Sequence, residues 1–206
     1  DRVMSVERAL QTDDLHVSTM WVDEATMIEP VTLMQLMKHE PDNIFIMGDE
    51  DQIGVIDTDT LAGTRMRSNL FKHIKDVESK TETRRYGNPL ALELAKVIPG
   101  LKTLSDRTTD VTTTAIQELD VNGIIKMAAE HNVHVLLTFH NATANKFKNA
   151  LKQYHHTTAI RKLIVSTVHT FQSQEADNVL VVQHRVSGEA GIEVNRKYCI
   201  SAATRG

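Results

Sequence analysis

Two short apolar runs near the start of the chain each end abruptly in acidic residues. Residues 20–25 spell MWVDEA, and residues 44–52 spell IFIMGDEDQ. Apolar runs of this length are typical of strands buried on both faces of a parallel sheet. Open α/β sheets bind their ligands at the carboxyl ends of such strands. The acids are therefore predicted to line a ligand site.

The adjacent carboxylates of Asp23 and Glu24 suit a nucleotide site. Asp23 can hold Mg²⁺ through its water shell, and Glu24 can act as a base on an attacking water. The alternative is that both acids only begin a helix, since carboxylates are favourable at helix N-termini. The second acid-tipped strand, which leads to Gln52, favours the nucleotide site.

Strand and helix patterns alternate along the chain, which predicts an α/β fold that can position these residues. A strand over residues 16–23, a helix from Pro30 and a strand ending at Gly48 form a βαβ unit, normally parallel and right-handed. Leu36 and Met37 mark the buried side of that helix. Further helices are predicted over residues 7–11, 68–75, 90–98, 121–130 and 141–154 and from near Asn195. Further strands are predicted over residues 3–6, 133–139, 163–167 and 179–183, with one or two more within 101–120. A loop is predicted over residues 185–193.

Length and composition limit the class of protein. A chain of 206 residues suits one large domain or two small ones, and the boundary is predicted around residues 76–82. A net charge of −4 requires any nucleic-acid contact to use local basic surface. No apolar run is long enough to span a bilayer, and no signal peptide is expected at the start. The lone Cys199 excludes an internal disulfide and suits a reducing, cytosolic compartment.

Five segments, in order, resemble the motifs of the superfamily 1 helicases, most closely those of the viral RNA helicase branch. Residues 21–25 (WVDEA) look like the Walker B motif, and residues 48–52 (GDEDQ) resemble the glycine-aspartate-proline-x-glutamine motif. Residues 84–89 (RRYGNP) resemble the tyrosine-arginine element that opens the second RecA-like domain. Residues 165–175 (VSTVHTFQSQE) are similar to the threonine-valine-histidine…glutamine-glycine motif, and residues 198–205 (YCISAATR) look like the closing alanine-x-threonine-arginine motif.

Two positions depart from the family's motifs, since Glu50 stands where proline is usual and Ser173 where glycine is usual. The resemblance covers essentially the whole chain. It implies two RecA-like parallel-sheet domains, residues 1–78 and 79–206, with a nucleotide cleft between them. No Gly-x-x-x-x-Gly-Lys-Ser/Thr phosphate loop occurs in the sequence. We therefore expect the chain to start after that region, with its first domain incomplete at the N-terminus.

The resemblance also implies roles for individual residues. Gln52 would sense the γ-phosphate and the attacking water, and Arg85 and Arg205 would reach that phosphate as arginine fingers. Arg84 is the alternative to Arg85, and an ordinary surface charge is the alternative for Arg205. Asp49, Gln172 and Glu175 are also implied at the nucleotide. Gln172 and Glu175 would couple the nucleotide site to nucleic acid. Thr167 and His169 would lie near the nucleic-acid backbone. For His169 the alternative is an ordinary hydrogen-bonded histidine at a strand end.

Together these roles imply an ATP-dependent RNA helicase core that couples hydrolysis to translocation and unwinding, for viral RNA replication. The implied cofactors are ATP or another NTP and Mg²⁺. The implied partners are single-stranded or duplex RNA, with DNA as an alternative, and other replication proteins of the same polyprotein, in the host cytoplasm. Two other functions stay open, a non-catalytic helicase-like binding module and a cellular RNA-surveillance helicase. Without a phosphate loop, the chain alone is expected to be inactive.

Overall fold

The computed structural model describes residues 2–13, 15–55, 74, 76–116, 118–154, 160, 162–184 and 195–205. The chain divides into two compact units, Asp1–Glu78 and Ser79–Gly206. The helices are α1 Val6–Gln11, α2 Pro30–Leu36, α3 Asn88–Ala95, α4 Val121–Glu130, α5 Asn141–Leu151 and α6 Arg196–Ala203, with 3₁₀ turns at Ala25–Met27, Met37–His39 and Lys152–Tyr154. The strands are β1 Thr19–Val22, β2 Asn43–Ile46, β3 Glu82–Thr83, β4 Lys102–Thr103, β5 Val135–Thr138, β6 Ile164–Thr167 and β7 Val179–Val182. The described residues thus form the predicted α/β architecture, with small parallel sheets.

In the first unit, β1 and β2 pair in parallel, with Val22 opposite Ile46. One face of this pair packs on α1 and α2 around Val22, Leu33 and Leu36. The other face carries Trp21 and Phe45, which stack with ring centroids 4.3 Å apart and are 63% and 47% exposed. The prediction that these apolar runs are buried on both faces is therefore wrong for β1 and β2. An aromatic residue in an apolar run is normally predicted to be buried in the core, but here the two rings stack on each other and remain partly exposed.

Two other predictions in this unit need correction. No strand forms over residues 3–6; instead α1 already begins at Val6, because the Ser5 side chain accepts the Arg8 N–H and caps it. Met37 is exposed rather than buried. The chain tightens into a 3₁₀ turn there, and this changed periodicity turns His39 inward, with Nε2 2.9 Å from the Ala9 carbonyl. The helix predicted over 68–75 falls, apart from residue 74, outside the described residues.

The second unit contains a three-stranded parallel sheet in the order β6-β5-β7. Every residue of the central strand β5 is buried, as expected for a strand with neighbours on both sides and helices packed against it. Helices α4 and α5 supply Ile124, Ile125 and Phe147 to its core. The bounds predicted for α4 are confirmed, since the Asp120 side chain accepts the Gly123 N–H at 2.9 Å and fixes the start of the helix. The predicted 141–154 helix ends as an α-helix at Leu151 and finishes in a 3₁₀ turn. The loop predicted over 185–193 lies outside the described residues.

The segment that opens the second unit is held by a short parallel pair, β3 with β4. Between residues 101 and 116 only Lys102–Thr103 is a strand, so one of the predicted one or two strands is present in this described stretch. Gly87 approaches the Arg107 carbonyl so closely that a Cβ would lie 1.6 Å from its oxygen. Only glycine fits there, and α3 begins immediately afterwards with Pro89 in its first turn.

Candidate active site

The two adjacent acidic residues of the first unit follow β1 and lie at the carboxyl edge of its sheet. The Met47 N–H donates to the Val22 carbonyl at 2.8 Å, and the Ala25 N–H donates to the Met47 carbonyl at 2.8 Å. These bonds tie the two strand ends together just beyond the ladder. Asp23 and Glu24 therefore share one edge with the segment that follows β2, which is where parallel sheets place ligand-binding groups.

Glu24 has an unusual backbone conformation for a residue with a side chain. Its φ and ψ are 51° and 37°, in the left-handed region, where residues other than glycine are uncommon and a strained conformation often accompanies function. Its N–H donates to the Asp23 carboxylate at 2.9 Å. The turn that follows, Ala25–Met27, is a 3₁₀ turn of three residues with no side-chain cap, so no α-helix begins directly after these acids.

The second acid-tipped strand leads into a loop organised by Asp49. One carboxylate oxygen accepts the Asp51 N–H at 2.9 Å, and the other accepts the Gln52 side-chain amide at 2.7 Å. These bonds fix the direction of the Gln52 side chain. Asp49 thus orients the Gln52 amide, for which the resemblance implies a role at the nucleotide.

The same loop packs on Thr26, directly after Glu24. The Val55 N–H donates to the Thr26 carbonyl at 3.1 Å, and Cβ atoms built on Gly48 and Gly54 would lie 3.0 and 3.1 Å from Thr26 atoms. Ile53 is 2% exposed and anchors the loop. The two acid-tipped segments are therefore held as one packed edge rather than as independent loops.

In the second unit, Arg85 lies between two acceptors from distant segments. Its Nε is 2.7 Å from a carboxylate oxygen of Glu175, and its NH1 donates to the Thr204 carbonyl at 3.3 Å. The Arg85 and Glu175 side chains are 36% and 64% exposed. Exposed ion pairs are worth about 0–1 kcal/mol, so this pair contributes little to folding and acts mainly on the direction of the guanidinium.

Arg205 lies beside this pair but is buried, with 1% of its surface exposed. Its NH1 donates to the Gln174 carbonyl at 3.4 Å, and its own carbonyl accepts the Ala176 N–H at 2.9 Å. The alternative of a surface charge near the chain end is therefore wrong. Arg84, the alternative to Arg85, is exposed.

The turn after β6 collects the remaining predicted residues. The Thr167 hydroxyl lies 2.9 Å from the Thr170 hydroxyl and accepts the Thr170 N–H at 3.2 Å, which closes the turn. The Gln172 N–H donates to the His169 carbonyl at 3.2 Å. Gln172 is buried, whereas His169 is exposed. This turn leads directly into residues 174–176, which contact both arginines.

Comparison with known protein families agrees with this arrangement of motifs. The model for the viral superfamily 1 RNA helicase core domain matches residues 1–206. The chain belongs to the viral superfamily 1 RNA helicase family. A search of curated proteins finds no match for this helicase chain. The family to which the sequence motifs pointed is thereby confirmed.

One departure of this helicase from its family's motifs has a visible structural meaning. Ser173 stands where the family has glycine, and its φ is 62°. That left-handed conformation is one that glycine adopts without strain. The position therefore demands the backbone that glycine provides, and the serine adopts it at some conformational cost.

The side chains at the acidic edge also fit the metal that the family implies. No group of three or more metal-ligating side chains is found in the part of the chain that the structure describes. Mg²⁺ does not need one, because it keeps several waters and binds through one or two carboxylates together with substrate phosphates. Asp23 is an exposed carboxylate at the strand end and is the residue that would hold the ion.

The structure thus groups the sequence-predicted residues within each unit. Asp23, Glu24, Asp49 and Gln52 share the edge of the first sheet, and Arg85, Glu175 and Arg205 form one network in the second unit. The acceptors supplied by Thr204 and Gln174 were missed. Both are backbone carbonyls, which no pattern of residue types reveals.

None of the described helices is long and apolar enough to cross a membrane.

Proposed function

We propose that this chain forms part of the catalytic core of an NTP-dependent RNA helicase. The observation that carries the proposal is the acidic edge of the first sheet, where β1 and β2 end in register. A helicase family match over the whole chain supports it independently. ATP or another NTP is the proposed substrate, and Mg²⁺ is the proposed ion.

Each residue has a proposed task in hydrolysis. Asp23 holds the ion, which when bound neutralises charge on the phosphates. Glu24 accepts the proton of the attacking water, and Gln52, directed by Asp49, orients that water. Arg85 and Arg205 stabilise the negative charge that develops on the transferred phosphoryl group.

The turn after β6 is the proposed link to RNA. His169 is exposed there, and the Thr167 and Thr170 hydroxyls are hydrogen-bond donors of the kind that contact phosphate oxygens. Gln172 belongs to this turn and precedes residues 174–176 of the arginine network, and its proposed task is to couple the two. The match to viral helicases favours replication of viral RNA, in the cytoplasm of a host cell, over RNA surveillance.

A purified protein that contains this chain together with a phosphate loop should hydrolyse NTP, and single-stranded RNA should raise its rate. The 206-residue chain alone should show little or no turnover, because its sequence has no phosphate loop to hold the β- and γ-phosphates. Steady-state release of phosphate measures both. A non-catalytic binding module would instead bind RNA with no NTP turnover in either form, and this result would contradict the proposal.

A further inference from the structure

Three distant segments of the second unit close into one ring of contacts. The Arg85 side chain contacts the Glu175 carboxylate and also donates to the Thr204 carbonyl. The residues on either side of Glu175 are in turn bound to Arg205, through the Gln174 carbonyl and the Ala176 N–H. The ring therefore runs from one arginine through residues 174–176 to the other arginine, and Glu175 is the carboxylate at its centre.

The two arginines are held in different ways. Arg205 is fixed by burial and by contacts with the backbone. Arg85 is partly exposed, and its orientation depends on one carboxylate and one carbonyl. Glu175 meets the Nε of Arg85, and Thr204 meets NH1, so these contacts approach the planar guanidinium from different edges. A guanidinium has five donors in a fixed plane, and two such contacts define the orientation of that plane without exhausting its donors.

We propose that Glu175 is a positioning residue that acts on hydrolysis through Arg85. The inference rests on the proposed function, in which Arg85 contacts the transferred phosphoryl group. Glu175 holds the guanidinium beside Arg205, so that both cations are directed to the same phosphate before the nucleotide arrives. Orientation set in advance matters because a small displacement of a catalytic group costs a large factor in rate.

This role differs from direct contact between Glu175 and the nucleotide. A residue that touches the substrate itself contributes whether or not Arg85 is present. A residue that acts only by orienting Arg85 contributes nothing once Arg85 is gone. The two roles therefore differ in how the effects of substitutions combine.

The test is a double-variant cycle on the RNA-stimulated NTPase of the protein that contains this chain. Arg85→Ala should lower the turnover number by on the order of a hundredfold, and Glu175→Ala by about tenfold. The double variant should fall no further than Arg85→Ala alone. Glu175→Asp, which keeps the charge, should recover part of the loss, whereas Glu175→Gln should recover less.

Glu93→Ala is the matched control, because Glu93 also forms an exposed ion pair in this unit, with Lys96 at 2.6 Å. Its thermal unfolding midpoint should match that of Glu175→Ala, while its turnover stays unchanged. If the effects of Arg85→Ala and Glu175→Ala multiply in the double variant, the positioning role is overturned and the proposed function stands. If Arg85→Ala turns over at the normal rate, the role of Arg85 in the proposed function fails first, and the positioning role fails with it.

Discussion

Arg205→Ala should lower the turnover number by on the order of a thousandfold, while the affinity for NTP changes far less. An arginine that stabilises the transferred phosphoryl group interacts most strongly in the transition state, so its loss falls on the chemical step. The measurement is steady-state turnover beside equilibrium nucleotide binding, in the protein that contains this chain.

The burial of Arg205 determines the control for this substitution. Arg205 is 1% exposed and bonds to the Gln174 carbonyl, so alanine also leaves a cavity and lowers stability. Arg205→Lys keeps the charge but lacks the planar fork that spans two oxygens, and it should restore folding more than turnover. Thermal unfolding of both variants separates the two effects. A folded Arg205→Lys protein with normal turnover would remove this residue from the site.

Glu24→Gln should lower turnover by about 10²- to 10⁴-fold, because the amide cannot accept the proton of the attacking water. The substitution keeps the size of the side chain, and glutamine meets the left-handed backbone at φ 51° much as glutamate does. Nucleotide binding should therefore persist. Phosphate release in a single turnover and nucleotide binding at equilibrium measure the two properties separately.

Glu29→Gln is the matched control for this second substitution. Glu29 is an exposed acid at the start of α2 and makes no side-chain capping bond, so its loss should leave turnover unchanged. Equal, small effects of the two substitutions would mean that Glu24 is only a solvated acid at the sheet edge.

Local signals in the sequence predicted much of the fold. The helix predicted over residues 121–130 matches the bounds of α4, and the alternation of helices and strands predicted parallel pairing, which each unit shows. The prediction that both faces of β1 and β2 are buried was wrong. Trp21 and Phe45 look like core residues, but their burial depends on what packs against the sheet, which periodicity does not encode.

The sequence named the candidate residues but did not describe the contacts between them. The acids and arginines were found because they fall in ordered motifs. The contact of Arg85 with Thr204 joins positions 119 residues apart, and the burial of Arg205 depends on how residues 174–176 fold over it. Such non-local pairings arise only from the tertiary structure, and so they could not be predicted from motif spacing.

The measurement that tests the central claim most directly is strand release from duplex RNA by the protein that contains this chain. Strand release is expected only when hydrolysable NTP and Mg²⁺ are present, and it should be at least a hundredfold slower for Glu24→Gln, although that variant still binds RNA. Strand release by Glu24→Gln at the normal rate, or normal release without NTP, would contradict the claim that hydrolysis at the Asp23–Glu24 edge drives unwinding.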